Sequence, residues 1–199
     1  MCIRDRLSVE QKNDSSIQKK QGGKTVIGIV GLLLRKDEYV KLFETYKNHP
    51  EVDIHIHGKG HYEHVVEEYA AKYSNITYFG PYNTFTDAQR IYNSIDIIYL
   101  VYDIEQVSLN NRLALPNKLY ECMYYKVPLI CSKETYLEEI VMDLGIGISV
   151  NYKEPNALED AVRYLSLNSD RLQNNFSSLP QNAYFGDQDY EELESFLAN

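Results

Sequence analysis

From Lys24 onward the chain alternates short apolar, β-branched runs with longer amphipathic stretches. Residues 25–30 (TVIGIV) form a β-branched run that stops at Gly31, the pattern of a buried strand. Residues 52–56 (VDIHI), 75–79 (NITYF), 95–100 (beginning IDIIYL), 127–131 and 146–150 (IGISV) predict five more strands. The second and third are closed by Gly58 with Gly60 and by Gly80 with Pro81. Between them, residues 38–47 set Tyr39, Leu42, Phe43 and Tyr46 on one helical face, and residues 61–73 do the same with Val65, Val66 and Tyr69. Further helices are predicted over residues 86–93, 116–125 (led by Pro116), 136–143, 156–165 (behind Pro155) and 190–197. Residues 102–115 read as a long polar loop.

Strands that alternate with helices need a crossover at each step, which predicts parallel pairing with both sheet faces covered. The expected fold class is α/β, a doubly wound, mainly parallel six-stranded Rossmann-like sheet with helices on both faces. No internal repeat is evident.

Composition narrows the function. The chain has 199 residues, 44% hydrophobic and 25% charged, enough for one ordinary core and too apolar for disorder. Its net charge is −9 and no Lys/Arg run is denser than Lys19 with Lys20, so no nucleic-acid partner is expected, because that surface needs clustered cations. A small diphosphate needs only a few cations and a helix N-terminus at one point, and the acidic balance leaves it open. The cysteines Cys2, Cys122 and Cys131 form no CxxC pair, and the last two sit in apolar stretches typical of reduced thiols, which points to a cytoplasmic protein. No apolar run is long enough to span a bilayer.

Residues 1–23 are polar and without apolar period, and are expected to be a disordered interdomain linker; residues 24–199 form the expected domain. Residues 1–6 (MCIRDR) resemble a translated sequencing adapter, which gives the expectation that an upstream domain precedes this sequence. The segment has no apolar core of a signal peptide.

In open parallel sheets ligands bind beyond the carboxyl ends of the strands. Gly31 with Arg35, the Gly58-to-Gly60 segment, Gly80 with Tyr82, and the approach to Pro116 all fall there. Residues 116–121 (PNKLYE) carry the most chemistry. A helix start presents unpaired N–H groups suited to a diphosphate, Lys118 adds a full charge, and Glu121 one turn on can accept two ribose hydroxyls. From this hexapeptide alone a second reading stands beside the first, that Lys118 and Glu121 are solvated surface residues.

Residues 113–130 (LALPNKLYECMYYKVPLI) resemble the signature of glycosyltransferase family four (group 1), of the GT-B architecture, in its C-terminal, donor-binding half. The resemblance extends back through Gly31, the HGKG segment and NITYFGPY, and forward through residues 135–150, covering residues 24–165 in the family's order. It implies a nucleotide-sugar-binding domain of a retaining glycosyltransferase. By the same resemblance, Glu121 binds the ribose, and Asn117, Lys118 and Leu119 meet the diphosphate. Gly31 lets the first loop approach the donor, Arg35 supplies that loop's phosphate-binding cation, and Tyr82 contacts the base. The implied partners are a nucleotide-sugar donor and a saccharide or lipid-linked acceptor held by an upstream domain. The parent is expected to act in cell-surface polysaccharide synthesis (capsule, O-antigen or exopolysaccharide) at the inner face of the cytoplasmic membrane, with peripheral membrane association. The family is typically metal-independent, so no metal and no other cofactor is expected, and the fragment alone is expected to be inactive.

Two departures qualify the resemblance. Many members carry a second glutamate two turns upstream, where this chain has Leu113, and an arginine directly after the glycine of the first strand, where it has Leu32. Asn110, Asn111 and Arg112 are candidates to take over sugar or phosphate contacts. These departures keep a non-catalytic Rossmann-like binding or assembly module open as an alternative. A nucleotide-sugar epimerase half would need a catalytic carboxylate and histidine, and no such pair is evident. A phosphorelay receiver would need acids after the first strand. His55 and His57 alternate along a strand and read as packed residues, His61 and His64 as surface, and Tyr120, Tyr124 and Tyr125 as core.

Overall fold

The computed structural model describes residues 23–184. The polar segment 1–22 and the helix expected over residues 190–197 lie outside the described residues. Six strands, β1 (Thr25–Leu32), β2 (Val52–Lys59), β3 (Ile76–Gly80), β4 (Ile97–Leu100), β5 (Leu129–Ser132) and β6 (Gly147–Val150), pair in the order β3-β2-β1-β4-β5-β6. Every pairing is parallel. The helices between them are α1 (Lys36–Tyr46), α2 (Glu63–Lys72), α3 (Thr84–Asn93), α4 (Leu109–Leu113), α5 (Asn117–Tyr125), α6 (Tyr136–Asp143), α7 (Ala157–Leu167) and α8 (Ser169–Ser178). The chain winds outward from β1 in one direction as far as β3, then returns to place β4 on the other side of β1. That reversal opens a crevice between the carboxyl ends of β1 and β4, where a doubly wound sheet takes its ligand.

β1 shows why its sequence reads as a buried strand. Ile27 and Ile29 join the cluster formed with α1 and α7, while Val26 and Val30 join the cluster formed with α3, α5 and α6. With both faces covered, no position is left for a polar side chain. On α1, Tyr39, Leu42, Phe43 and Tyr46 are all buried, as the helical spacing predicts. Each such side chain contributes about 1.5–3 kcal/mol by leaving water. Tyr120 and Tyr125 are buried on α5, and Cys122 and Cys131 are free and buried. Burial raises both thiols, that of Cys131 to about 12, so neither is a ready nucleophile.

Two helices escaped the sequence pattern. α4 lies inside the stretch expected to be a loop, with Ser108 as its N-cap accepting from the Asn111 N–H. It buries none of its five residues, so no apolar period marks it. α8 carries only two buried side chains, Leu172 and Phe176, one turn apart. They enter different clusters, Leu172 that of α1 and α7, Phe176 that of α3, α5 and α6, so α8 ties the two helical layers together. β4 also begins later than expected, because Ile95 belongs to the turn leaving α3, where its N–H meets the Tyr92 carbonyl.

Candidate functional site

The end of β1 is shaped by glycines on its neighbour. Gly31 has φ +125°, a conformation that glycine adopts without strain, and pairs in register with Gly58. A Cβ on Gly58 would fall 1.8 Å from the Gly31 carbonyl oxygen, and one on Gly60 would fall 2.6 Å from the Leu33 carbonyl oxygen. The HGKG segment is thus a backbone seat for the loop that leaves β1. Across the crevice from that loop stands α5: a Cβ on Gly31 would lie 3.4 Å from the Lys118 Cε.

α5 starts where Pro116, extended at φ −73°, ψ 149°, hands over to the helix. Asn117 is exposed at the leading turn. Lys118 and Glu121, three residues apart, lie on one face, and both are withdrawn from solvent, with side chains 14% and 5% exposed. The Lys118 Nζ donates to Glu121 Oε1 at 2.7 Å and Oε2 at 2.6 Å, and also to the Tyr82 hydroxyl at 3.0 Å. Tyr92, from α3, donates its hydroxyl to Glu121 Oε2 at 2.6 Å. Burial pulls the Lys118 pKa down, but the Glu121 carboxylate and the hydrogen bonds to Glu121 and Tyr82 outweigh it, so the ammonium is held above its ordinary value. The reading of Lys118 and Glu121 as solvated surface residues fails on this geometry.

Arg35 comes from the opposite wall, as the N-cap residue of α1, with its guanidinium 3.8 Å from the centre of the Tyr102 ring. Tyr102 is itself fixed: the Ser132 hydroxyl oxygen accepts from its N–H at 2.5 Å and donates to its carbonyl at 2.8 Å. Gly31, Leu34, Arg35, Tyr102 and Lys118 line one cleft of about 220 Å³ at the switch point. A more polar cleft of about 310 Å³ adjoins it through Leu34 and Arg35 and reaches Glu38, Tyr62 and Asp103. Two cations from different elements therefore converge on one depression at the carboxyl edge of the sheet.

Of the residues singled out in the sequence, Gly31, Arg35 and Lys118 line one cleft, Glu121 and Tyr82 are joined to it through the Lys118 ammonium, and Asn117 is the first residue of α5. Three others do not join it. The Leu119 side chain is fully buried and its N–H meets the Pro116 carbonyl at 2.9 Å, so Leu119 packs the start of α5 into the core and does not line the cleft. The Arg112 guanidinium donates to the Ile104 carbonyl and braces its own loop. Asn111 is exposed on α4, and its N–H caps to Ser108; neither Asn111 nor Arg112 lines the cleft. Sequence reasoning missed Tyr92, Tyr102 and Ser132, which carry no motif of their own. His57 is 3% exposed and stacks on Phe79 at 4.4 Å, while His61 and His64 are exposed. Among the described residues no group of three His, Cys, Asp or Glu is placed to hold a metal ion, and no helix is long and apolar enough to cross a membrane.

A family model described as glycosyl transferases group 1 matches residues 10–179. The chain belongs to this family. Solved structures of group 1 transferases and related enzymes share its fold. Sucrose-phosphate synthase from Thermosynechococcus elongatus superposes with a TM-score of 0.61 at 16% identity, over 88% of this chain and 46% of the synthase. The C-terminal domain of a glycosyl transferase group 1 protein, LpcC, from Francisella tularensis gives 0.52 at 21% identity, over 80% of this chain and 84% of that domain. Anabaena HepE, solved with UDP and glucose, gives 0.58 at 14% identity, over 89% of this chain and 49% of HepE. This group 1 chain thus spans about half the length of the synthase and of HepE, and most of the isolated C-terminal domain. No curated protein matches it in sequence. Leu32 and Leu113, the two positions at which the sequence departs from the expected pattern, are 69% and 59% exposed.

Proposed function

We propose that this chain is the donor-binding half of a retaining glycosyltransferase that takes a nucleoside diphosphate sugar. The observation that carries the reading is Lys118, withdrawn from water in its pairing with Glu121 on α5 and lining the switch-point crevice with Gly31 and Arg35. A diphosphate at the leading turn of α5 meets the amides of Asn117 and Lys118, the positive end of the helix dipole, and two cations. Glu121 accepts the ribose hydroxyls and acts as an anchor, not a base. Tyr82, at the rim beside Lys118, borders the base.

In the structure Lys118 occupies both oxygens of Glu121, so donor binding exchanges partners. The ammonium turns from the carboxylate to the phosphates, and the ribose hydroxyls take the oxygen positions it leaves. Charge that develops on the leaving diphosphate as the glycosidic bond breaks then meets Lys118, Arg35 and the helix amides, which lowers the barrier because those groups are already aimed there. Fixing the ribose holds the anomeric carbon over the crevice. The acceptor, a saccharide or lipid-linked hydroxyl, belongs to a second domain facing this one, at the cytoplasmic side of the membrane during cell-surface polysaccharide synthesis. No metal and no other cofactor is assigned to the step.

Calorimetric titration of the chain with uridine, guanosine and adenosine diphosphates tests the reading. Binding of one of them, abolished by Glu121→Ala with the fold intact by circular dichroism, is the expected result. No binding of any at millimolar concentration leaves a Rossmann-like module without donor chemistry.

A further inference from the structure

The pair just described has a third member that no motif marks. Tyr92 lies on α3, is 1% exposed, and stacks in parallel on Tyr125 of α5, with ring centres 4.7 Å apart and planes 7° from each other. The stack fixes the ring, and the ring fixes the hydroxyl, which donates to Glu121 Oε2 at 2.6 Å. A carboxylate on a helix otherwise turns about its own side-chain torsions. Lys118, the other donor to Glu121, has a long flexible stem and an alternative acceptor in the Tyr82 hydroxyl at 3.0 Å.

Resting on the donor-binding reading above, we propose that Tyr92 is the positioning residue for ribose recognition. Its hydroxyl holds the Glu121 carboxylate in one orientation whether or not Lys118 is paired with it. The remaining oxygen positions then face the two ribose hydroxyls together. Without the hydroxyl the carboxylate follows Lys118, and the site loses its discrimination of ribose from deoxyribose before it loses the diphosphate. Burial, followed by the charge of Glu121, raises the Tyr92 pKa well above its ordinary value, so the hydroxyl stays protonated and remains a donor.

The experiment measures a ratio. The 199-residue chain is titrated with uridine, guanosine and adenosine diphosphates and with their 2′-deoxy counterparts. The nucleotide it binds best is then compared with its deoxy form in wild type, Tyr92→Phe and Glu121→Gln. Wild type is expected to prefer the ribonucleotide by roughly tenfold or more, the size of a hydrogen bond to a charged group. In Tyr92→Phe that preference falls to about threefold or less, with the deoxynucleotide affinity little changed. Glu121→Gln loses it too. If Tyr92→Phe weakens both nucleotides equally, or changes neither, Tyr92 is only a packing residue and the proposal is overturned while the donor site stands. If wild type binds none of the diphosphates, the donor reading itself falls and takes this inference with it. Should Tyr92→Phe not fold, 3-fluorotyrosine at position 92 keeps the shape and strengthens the donor. An increased preference supports the assignment, and an unchanged one overturns it.

Discussion

Replacing Lys118 with methionine removes the charge facing Glu121 while keeping the unbranched apolar stem of the side chain. The two groups lie 2.6 and 2.7 Å apart with side chains only 14% and 5% exposed, so the carboxylate loses its counter-charge where little water can replace it. Removing one member of a buried pair generally costs about 3–5 kcal/mol. Here Tyr92 still donates to one oxygen and the mouth of the site is partly open, which brings the expectation to about 2–3 kcal/mol. Glu121→Gln should cost less, about 1 kcal/mol, because the lysine left behind can extend toward solvent while the amide oxygen still accepts from Tyr92. The double variant removes both charges and should lie near 1.5 kcal/mol, a coupling of about 2 kcal/mol. Urea unfolding at constant m reads these values, and the single Lys118→Met variant should melt roughly 4–12 °C lower. A domain of this size tolerates the loss and stays folded. If Lys118→Met costs under about 0.5 kcal/mol and the coupling is near zero, the pair is solvated and the crevice argument built on it is wrong.

Three further outcomes follow from the same geometry. Gly58→Ala should destabilise the chain by about 3 kcal/mol or more, since its Cβ would fall 1.8 Å from the Gly31 carbonyl at a backbone φ of +149°; wild-type urea stability would refute the seat. Burial and then the neighbouring His55 hold the His57 imidazole down at about 4, below its usual 6.5. The unfolded chain therefore takes the proton first, so stability present above pH 6.5 should be lost as pH falls toward 4, by about 1–3 kcal/mol, and His57→Leu should flatten that slope in unfolding measured across the window. Arg35→Ala should weaken nucleoside diphosphate binding about tenfold by calorimetry, and Arg35→Lys should restore only part, because an ammonium offers no planar face to Tyr102.

The sheet was legible because each strand's environment is written in its own residues. β1 needs apolar side chains on both faces and shows Val26, Ile27, Ile29 and Val30, interrupted only by Gly28, where a Cβ would lie 2.4 Å from Ile95. α1 is equally plain, since its buried face recurs at helical spacing, whereas α5 is buried from Leu119 through Met123 and was marked by the proline that leads it. What failed were elements whose reason to exist lies elsewhere. α4 is held by a serine cap and an arginine turned back on its own loop, and α8 by two side chains that reach different layers. Arg112 looked available because a cation in a polar stretch gives no sign of where its guanidinium will be satisfied.

The site divides along the same line. Lys118 and Glu121 are three residues apart, so local spacing alone puts them on one face, and the glycines of β1 and β2 announce a close approach. Whether that face is wet or buried depends on Tyr92 and Tyr82, which are 29 residues from Glu121 and 36 from Lys118 along the chain. Only the return of β4 beside β1 brings α3 against α5 and sets those hydroxyls over the pair. The hexapeptide supplies ligand-type groups, and the topology decides that they are withdrawn from water and aimed at a crevice. In a less polar setting the same carboxylate and ammonium act on any polar or charged partner far more strongly than they would on an exposed helix. A single motif on this fold is therefore weak evidence until the elements on either side of it are placed.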